Sequence, residues 1–247
     1  MKRWKVFAAA IVLLIFCSMS AVGRTQSETA PAPFFPLKQG TYWIYQGDVR
    51  WTPSGSQEVN FAKLTWKMEI VEVFRRETIT AARLKGHPED LVWYEGEGAQ
   101  PGDYVIVQVG PRYYLVEGER AQEVWGRVKD ETDVLVDLVH DDELFLEEPL
   151  ALHETFGPAD QIARTDFSYF WYVEQAEPTD LSGIKGFSQI VGTSSQPLAM
   201  RYRLVYRTRP DHTFVDVVPG VGITRFIYGH HGTVAETDVK LVEFHQE

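Results

Sequence analysis

One run constrains this chain more than any other. From Ala62 to Ile70 apolar and polar residues alternate without a break: Ala62, Leu64, Trp66, Met68 and Ile70 on one parity, Lys63, Thr65, Lys67 and Glu69 on the other. A period of two belongs to a β-strand with one buried and one wet face. At Ile70 the phase slips, because Val71 and Val73 are apolar on the opposite parity, and a β-bulge inserts an extra residue of that kind. At roughly 3.3 Å per residue, a run of about 16 residues predicts a long, bent strand.

The pattern recurs along the chain. Thr41 to Tyr45 is β-branched or aromatic throughout, and Pro36 and Gly40 before it set an extended entry and a turn, so a first strand starts here with both faces covered. Further strands are predicted over Thr78–Lys85, Leu91–Glu95, Tyr104–Val109 and Arg112–Glu117. A second series begins near Arg164, with Phe167, Tyr169, Trp171 and Val173 on one face. Leu198 to Tyr206 alternates with Arg201, Arg203 and Arg207, and a closing meander runs from Thr213 to Phe244 with turns at Pro219–Gly222 and Gly229–Gly232. Asp130–Glu148 is the least strand-like stretch, and a short helix is placed there. The fold class is all-β with minor α: an antiparallel curved sheet forming a half-barrel, a barrel or a two-sheet sandwich.

The ends of the chain bear on compartment. Lys2, Arg3 and Lys5 precede the apolar run Val6–Phe16, and small residues follow to Gly23. That is the layout of a secretory signal peptide over residues 1–23. Arg24 to Pro33 reads as a flexible linker, and residues 34–247 as a single β-rich domain. The expected location is exported, extracellular or in the cell envelope. Lipid anchoring at Cys17, the only cysteine, is less favoured because bulky Phe16 precedes it; only that or an uncleaved signal would bring in the membrane. Removing the signal takes three of the 24 basic residues, leaving 21 against 35 acidic ones and a formal charge of −14. So acidic a surface excludes nucleic acid as a partner class.

The motif Phe35, Pro36, Leu37, Gly40, Trp43 and Tyr45, together with Pro219–Gly222 near the other end, resembles a loose group of mostly uncharacterised bacterial secreted proteins and lipoproteins. The resemblance implies an all-β envelope or extracellular domain and brings no catalytic residue with it. A likeness in kind extends to half-barrel lipid carriers of the LolA type.

No catalytic signature, metal motif or cofactor loop stands in the chain, which points away from an enzyme. The acidic run Asp141–Glu148, flanked by His140 and His153, lacks the glycine of a calcium loop and reads as a solvated loop; a secreted hydrolase using carboxylates of Asp130–Glu148 is the alternative. His230 and His231 lie between glycines as turn residues. Ser182, Ser188, Ser194 and Ser195 lack a nucleophile elbow. Arg201, Arg203 and Arg207 are expected to pair across strands. Rings are the signal above background, and Trp43, Tyr45, Trp66 and Trp171 are the candidate contacts for an apolar or carbohydrate ligand, set against a core role for the same side chains. The expected function is a non-enzymatic binding or structural module of the envelope, with an apolar-ligand carrier as the alternative. The chain also carries one internal echo: Pro36-Leu37 precedes Trp43 by the spacing at which Pro149-Leu150 precedes Phe156. Duplication and chance both account for it.

Overall fold

The computed structural model describes residues 33–96, 99–187 and 199–246. The expected signal segment, nearly all of the expected linker, Leu198, Ser188, Ser194 and Ser195 fall outside them. Twelve strands occur among the described residues: β1 (Tyr42–Trp51), β2 (Asn60–Arg76), β3 (Ile79–Lys85), β4 (Asp103–Val109), β5 (Arg112–Glu117), β6 (Leu144–Glu147), β7 (Thr155–Phe156), β8 (Trp171–Thr179), β9 (Ala199–Arg207), β10 (Asp211–Val218), β11 (Gly222–His230) and β12 (Ala235–His245). All belong to one sheet, so the sandwich is set aside in favour of a nearly closed barrel. Apart from β6 and β7, each strand pairs with its neighbours in the chain, and β12 closes antiparallel onto β1, with Trp43 opposite Phe244 and Trp51 opposite Ala235. β6 and β7 approach each other without a hydrogen-bonded ladder, which leaves a seam there. The Pro-Leu echo falls at corresponding places: Trp43 is the second residue of β1 and Phe156 the second of β7, the first strands of two runs of six.

Alternation settles what faces where. The 17-residue β2 carries the long run and slips register against β3 between Ile70 and Glu72, at the phase change in the sequence. Trp43, Tyr45, Val49, Trp66 and Met68 turn inward and are buried, whereas Lys63, Lys67, Arg225 and Asp238 sit on the outside. Tyr42 and Ile44, expected to be covered, are only half-buried, with Tyr42 stacked on His245 at 5.0 Å. An apolar interior and a charged exterior is the reverse of a membrane-spanning barrel. Outside, β4 and β5 are covered by α1 (Gly118–Lys129), whose Ala121, Val124, Trp125 and Val128 form one buried stripe. A second helix, α2 (Ala159–Ile162), has one turn.

Three expected elements are corrected. The helix lies in Gly118–Lys129, not in Asp130–Glu148, which instead forms turns, one 3₁₀ turn at Asp141–Glu143 and the strand β6. Val134, which with Leu135, Leu138 and Val139 stands at helical spacing, is exposed, and so is Val136, which alternates with Val134 and Leu138. Leu91–Glu95 is no strand, since Leu91 ends a 3₁₀ turn begun at Pro88 and the chain then turns at Trp93, whose φ is +58°. Phe167 and Tyr169 also have positive φ, so the series from Arg164 becomes extended only at Trp171.

A ring of twelve strands is wider than side chains alone fill well, and the segment before β1 supplies the missing filling. Phe34, Phe35 and Leu37 are buried. Phe35 packs on Tyr113 and Phe145, Phe34 packs on Tyr202, and the Phe34 amide donates to Glu148 at 3.0 Å. The plug thus bridges the two sides of the seam. It also meets the Pro219–Gly222 turn: the Gly220 amide donates to the Pro33 carbonyl at 2.9 Å, Trp43 Nε1 to the Val221 carbonyl at 2.6 Å and Tyr45 Oη to the Ile223 carbonyl at 3.0 Å. A Cβ on Gly222, whose φ is +87°, would lie 2.8 Å from the Phe35 ring. The two sequence motifs near opposite ends of the chain are therefore one contact.

Candidate functional site

The plug leaves part of the interior unfilled. A cavity of about 320 Å³ lies among Leu115, Phe145, Val215, Ile223 and Phe226, with Trp171, Tyr206, Thr213, His87 and the carboxylates of Glu89, Glu117, Asp142 and Glu143 in the same wall. Beside the seam an outer hollow of about 660 Å³ shares Asp142, Leu144, Trp171 and Tyr206 with it and adds Arg164, Tyr169 and Arg209. Strand parity accounts for most of these positions. Glu117 follows Tyr113 and Leu115 on the inward face of β5, Tyr206 follows Leu204 on β9, and Trp171 opposes Tyr206 across β8 and β9. The two rings sit 5.1 Å apart.

His87 and Glu89 come instead from the β3–β4 connection. Gly86 starts it with φ +73°, where a Cβ would lie 2.2 Å from the Lys67 carbonyl oxygen, so only glycine fits. Its carbonyl accepts from Trp66 Nε1 at 2.9 Å. Pro88 then opens a 3₁₀ turn with His87 as its cap, Nδ1 accepting from the Glu89 amide at 3.3 Å. Asp90 accepts from the Gly102 amide and Tyr104 Oη, and the Leu91 carbonyl accepts from Thr237 Oγ1 at 2.7 Å. With β2, β4 and β12 all holding it, the turn is a fixed part of the wall.

The electrostatics of this wall are unusual for the molecule. Burial drives the His87 imidazole down to about 3, so it is neutral. With Nδ1 accepting, Nε2 carries the hydrogen, and that atom is buried without a partner. Burial first, then Glu117 and Asp90, push the Glu89 carboxyl up to about 7. About half of that side chain is exposed, which screens the effect. Of the four acids in this wall, Glu143 is paired with Arg120 at 3.1 Å, whereas Glu89, Glu117 and Asp142 are exposed and among the described residues have no lysine or arginine within 4 Å.

The sequence candidates divide. Trp43 and Tyr45 are fully buried and Trp66 nearly so; each gives its polar hydrogen to a backbone carbonyl as a core residue does, and none lines the cavity. Trp171 does line it. Arg201, Arg203 and Arg207 lie on the outer face and pair across strands, Arg203 with Asp216 at 2.7 Å, Arg201 with Asp216 and Glu177, and Arg207 with Glu174. His230 binds Asp211 at 2.9 Å and His231 meets His212 at 3.2 Å, so the adjacent histidines point apart. Ser182 bonds to Asp180. The acidic run is not a free loop: Glu143 holds Arg120, Glu147 holds Arg112, Glu148 accepts from Tyr113 Oη, and Asp142 reaches the cavity. Among the described residues no three metal-ligating side chains converge. Sequence reasoning missed His87, Glu89, Glu117 and Tyr206; parity offered Glu117 and Tyr206.

Fold and site together define an up-and-down antiparallel barrel with a plugged end and an interior pocket whose wall is part apolar and part acidic. No protein-family model and no curated protein matches the chain. Among solved structures it is similar to a candidate lipoprotein of Parabacteroides distasonis, at 12% identity and a TM-score of 0.35. It is also similar to a candidate exported protein with a YmcC-like fold from Bacteroides fragilis, at 9% identity and a TM-score of 0.39. Each comparison covers 87% of this chain and 100% of the other. Likeness at that level assigns neither fold nor role.

Proposed function

We propose that this protein is an exported, non-enzymatic binding domain that takes a small apolar ligand into the barrel through the seam between β6 and β7. The observation that carries the reading is the interior cavity, walled by Leu115, Phe145, Val215, Ile223 and Phe226 and flanked by the Trp171–Tyr206 pair. A cavity of about 300 Å³ or more with an apolar, aromatic-flanked side is large enough for a small molecule; here the apolar side stands opposite an acidic one. A filled interior would have left only a structural role. Carboxylate hydrolysis by the Asp130–Glu148 segment has less support, because Glu143, Glu147 and Glu148 are held by Arg120, Arg112 and Tyr113.

The test is calorimetric titration with nonan-1-ol against the mature protein and against Leu115→Trp, which fills the cavity. Saturable binding lost in the folded variant supports the reading; equal binding by both proteins, or none by either, refutes it. Export has its own test in mass spectrometry of the mature N-terminus, which should begin near Arg24. A lipid on Cys17 would overturn cleavage at Gly23.

A further inference from the structure

We propose that His212 and His231 form a bidentate site for a divalent transition-metal ion, copper(II) foremost, on the outer face of the barrel. The site stands apart from the interior cavity and does not depend on the binding reading above.

His212 is the second residue of β10, and His231 follows the last residue of β11 in the turn to β12. Their Nε2 atoms stand 3.2 Å apart, with the ring planes at 88° to each other. A ring nitrogen holds such an ion at about 2.0–2.1 Å. Two bonds of that length, meeting between a right angle and the tetrahedral angle, place their nitrogens about 2.9–3.4 Å apart. The observed separation falls inside that range. A neutral imidazole nitrogen either donates or accepts. Two Nε2 atoms in contact therefore share one hydrogen, or turn both lone pairs to a common cation.

The backbone holds the two rings in place independently of their contact. The His231 amide donates to the Pro210 carbonyl at 2.6 Å, and the neighbouring His230 bonds through Nδ1 to Asp211 at 2.9 Å. The Asp211 amide donates in turn to Thr208 Oγ1 at 2.9 Å. The β9–β10 and β11–β12 turns are thereby tied together, and each histidine is carried beside one of them. Donors already in position lose less conformational freedom when they bind.

An independent observation is the space beside the pair. A hollow of about 480 Å³ lies on this face with both histidines in its wall. Its origin is Gly229, which pairs with His212 on β10 and Glu236 on β12 and has nothing within 4 Å of where a Cβ would stand. Of the charged groups in the wall, Arg50 is matched by Glu236 at 2.8 Å and Asp238 by Arg225, which leaves the carboxylate of Asp48 over. Among the described residues no third ligand converges with the histidines, so water in the hollow completes the coordination shell. Imidazole suits copper, zinc and nickel rather than magnesium or calcium, and copper(II) stands highest in the affinity order for a given nitrogen site.

The test is calorimetric titration of copper(II), zinc and magnesium chlorides into the untagged mature protein at pH 7.5, above the ordinary histidine pKa of about 6.5. One saturable copper(II) site is expected, with zinc weaker and magnesium unbound. His212→Asn and His231→Asn should each weaken copper at least tenfold. His231 is exposed in a turn, so its variant should fold. Electron paramagnetic resonance of the unaltered protein with one equivalent of copper(II) should show coupling to two imidazole nitrogens, a readout that needs no variant. Equal copper binding by the parent and either folded variant, coupling to a single nitrogen, or no saturable site would overturn the proposal and leave the pair a hydrogen bond. The cavity reading is tested separately with nonan-1-ol and stands or falls without regard to these results.

Discussion

The contact between Phe35 and Gly222 lends itself to a quantitative test of the plugged barrel. Gly222 holds φ at +87°, a region where an L-residue with a Cβ costs about 1–2 kcal/mol. An alanine there would also place its Cβ 2.8 Å from Phe35 Cε1 and 2.9 Å from Cδ1. The ring has no room to withdraw, being 1% exposed and packed against Phe145 at 5.5 Å and Tyr113 at 6.0 Å. Overpacking of this kind adds about 1–3 kcal/mol, so Gly222→Ala should destabilise by about 2–5 kcal/mol in all. Phe35→Ala alone should cost about 3–5 kcal/mol. In the double variant the collision has no partner, and of the cost of Gly222→Ala only the backbone strain remains. The pair should therefore be less destabilised than the sum of the single changes by about 1–3 kcal/mol. Urea denaturation of the four proteins measures this directly, and thermal melts should follow at about 2–4 °C per kcal/mol. Additivity to within about 0.5 kcal/mol would refute the claim that the plug and the turn are one packing unit.

Other consequences are as specific. Trp43→Phe keeps most of the ring but leaves the buried Val221 carbonyl without its donor, and should cost about 1–3 kcal/mol in the same urea assay. Asp216→Ala strands Arg201 and Arg203 on the outer face and should cost about 2–3 kcal/mol, whereas Arg50→Ala, at an exposed pair, should change stability by less than about 0.5 kcal/mol. Because His87 stays neutral down to about 3 in the fold, the unfolded chain takes up a proton that the folded one refuses; this term lowers stability as pH falls from about 6.5 towards 3. His87→Asn, which keeps an acceptor for the Glu89 amide, should flatten that slope in denaturation midpoints. Glu89 has the opposite sign: with its carboxyl raised to about 7, the stability it contributes at low pH is lost as pH rises from 4.5 through 7. Glu89→Gln should therefore be more stable than the parent at pH 8 and no different at pH 4.

What the sequence revealed followed from local physics. A period of two was enough to place β2 and to locate its bulge at Ile70, since a slipped phase and an extra residue are the same event. The turn at Pro219–Gly222 and the motif from Phe35 were both visible, but their contact was not, because it depends on β12 closing onto β1. The helix was misplaced for a different reason. Ala121, Val124, Trp125 and Val128 carry the helical stripe plainly, yet it follows β5 with only Gly118, at φ +58°, to mark the break. Phe167 and Tyr169 alternate like strand residues although both sit at left-handed turns, where tertiary contacts override pattern. At the site, Trp171 was named and Glu117 and Tyr206 stood on readable inward parity. Glu89 was not readable, because a 3₁₀ turn after His87 and Pro88, rather than a strand, carries it to the cavity. The cavity itself is the difference between what twelve strands enclose and what Phe34, Phe35 and the core rings fill, and no single stretch of sequence states that difference.

The central claim is that the space under Trp171 and Tyr206 is a binding site. It is tested most directly by intermolecular nuclear Overhauser effects between nonan-1-ol and methyl-labelled protein. Contacts to the methyls of Leu115, Val215 and Ile223 are predicted, since these line the cavity. Contacts confined to methyls on the outer face of the sheet, or none at saturating ligand, would contradict it.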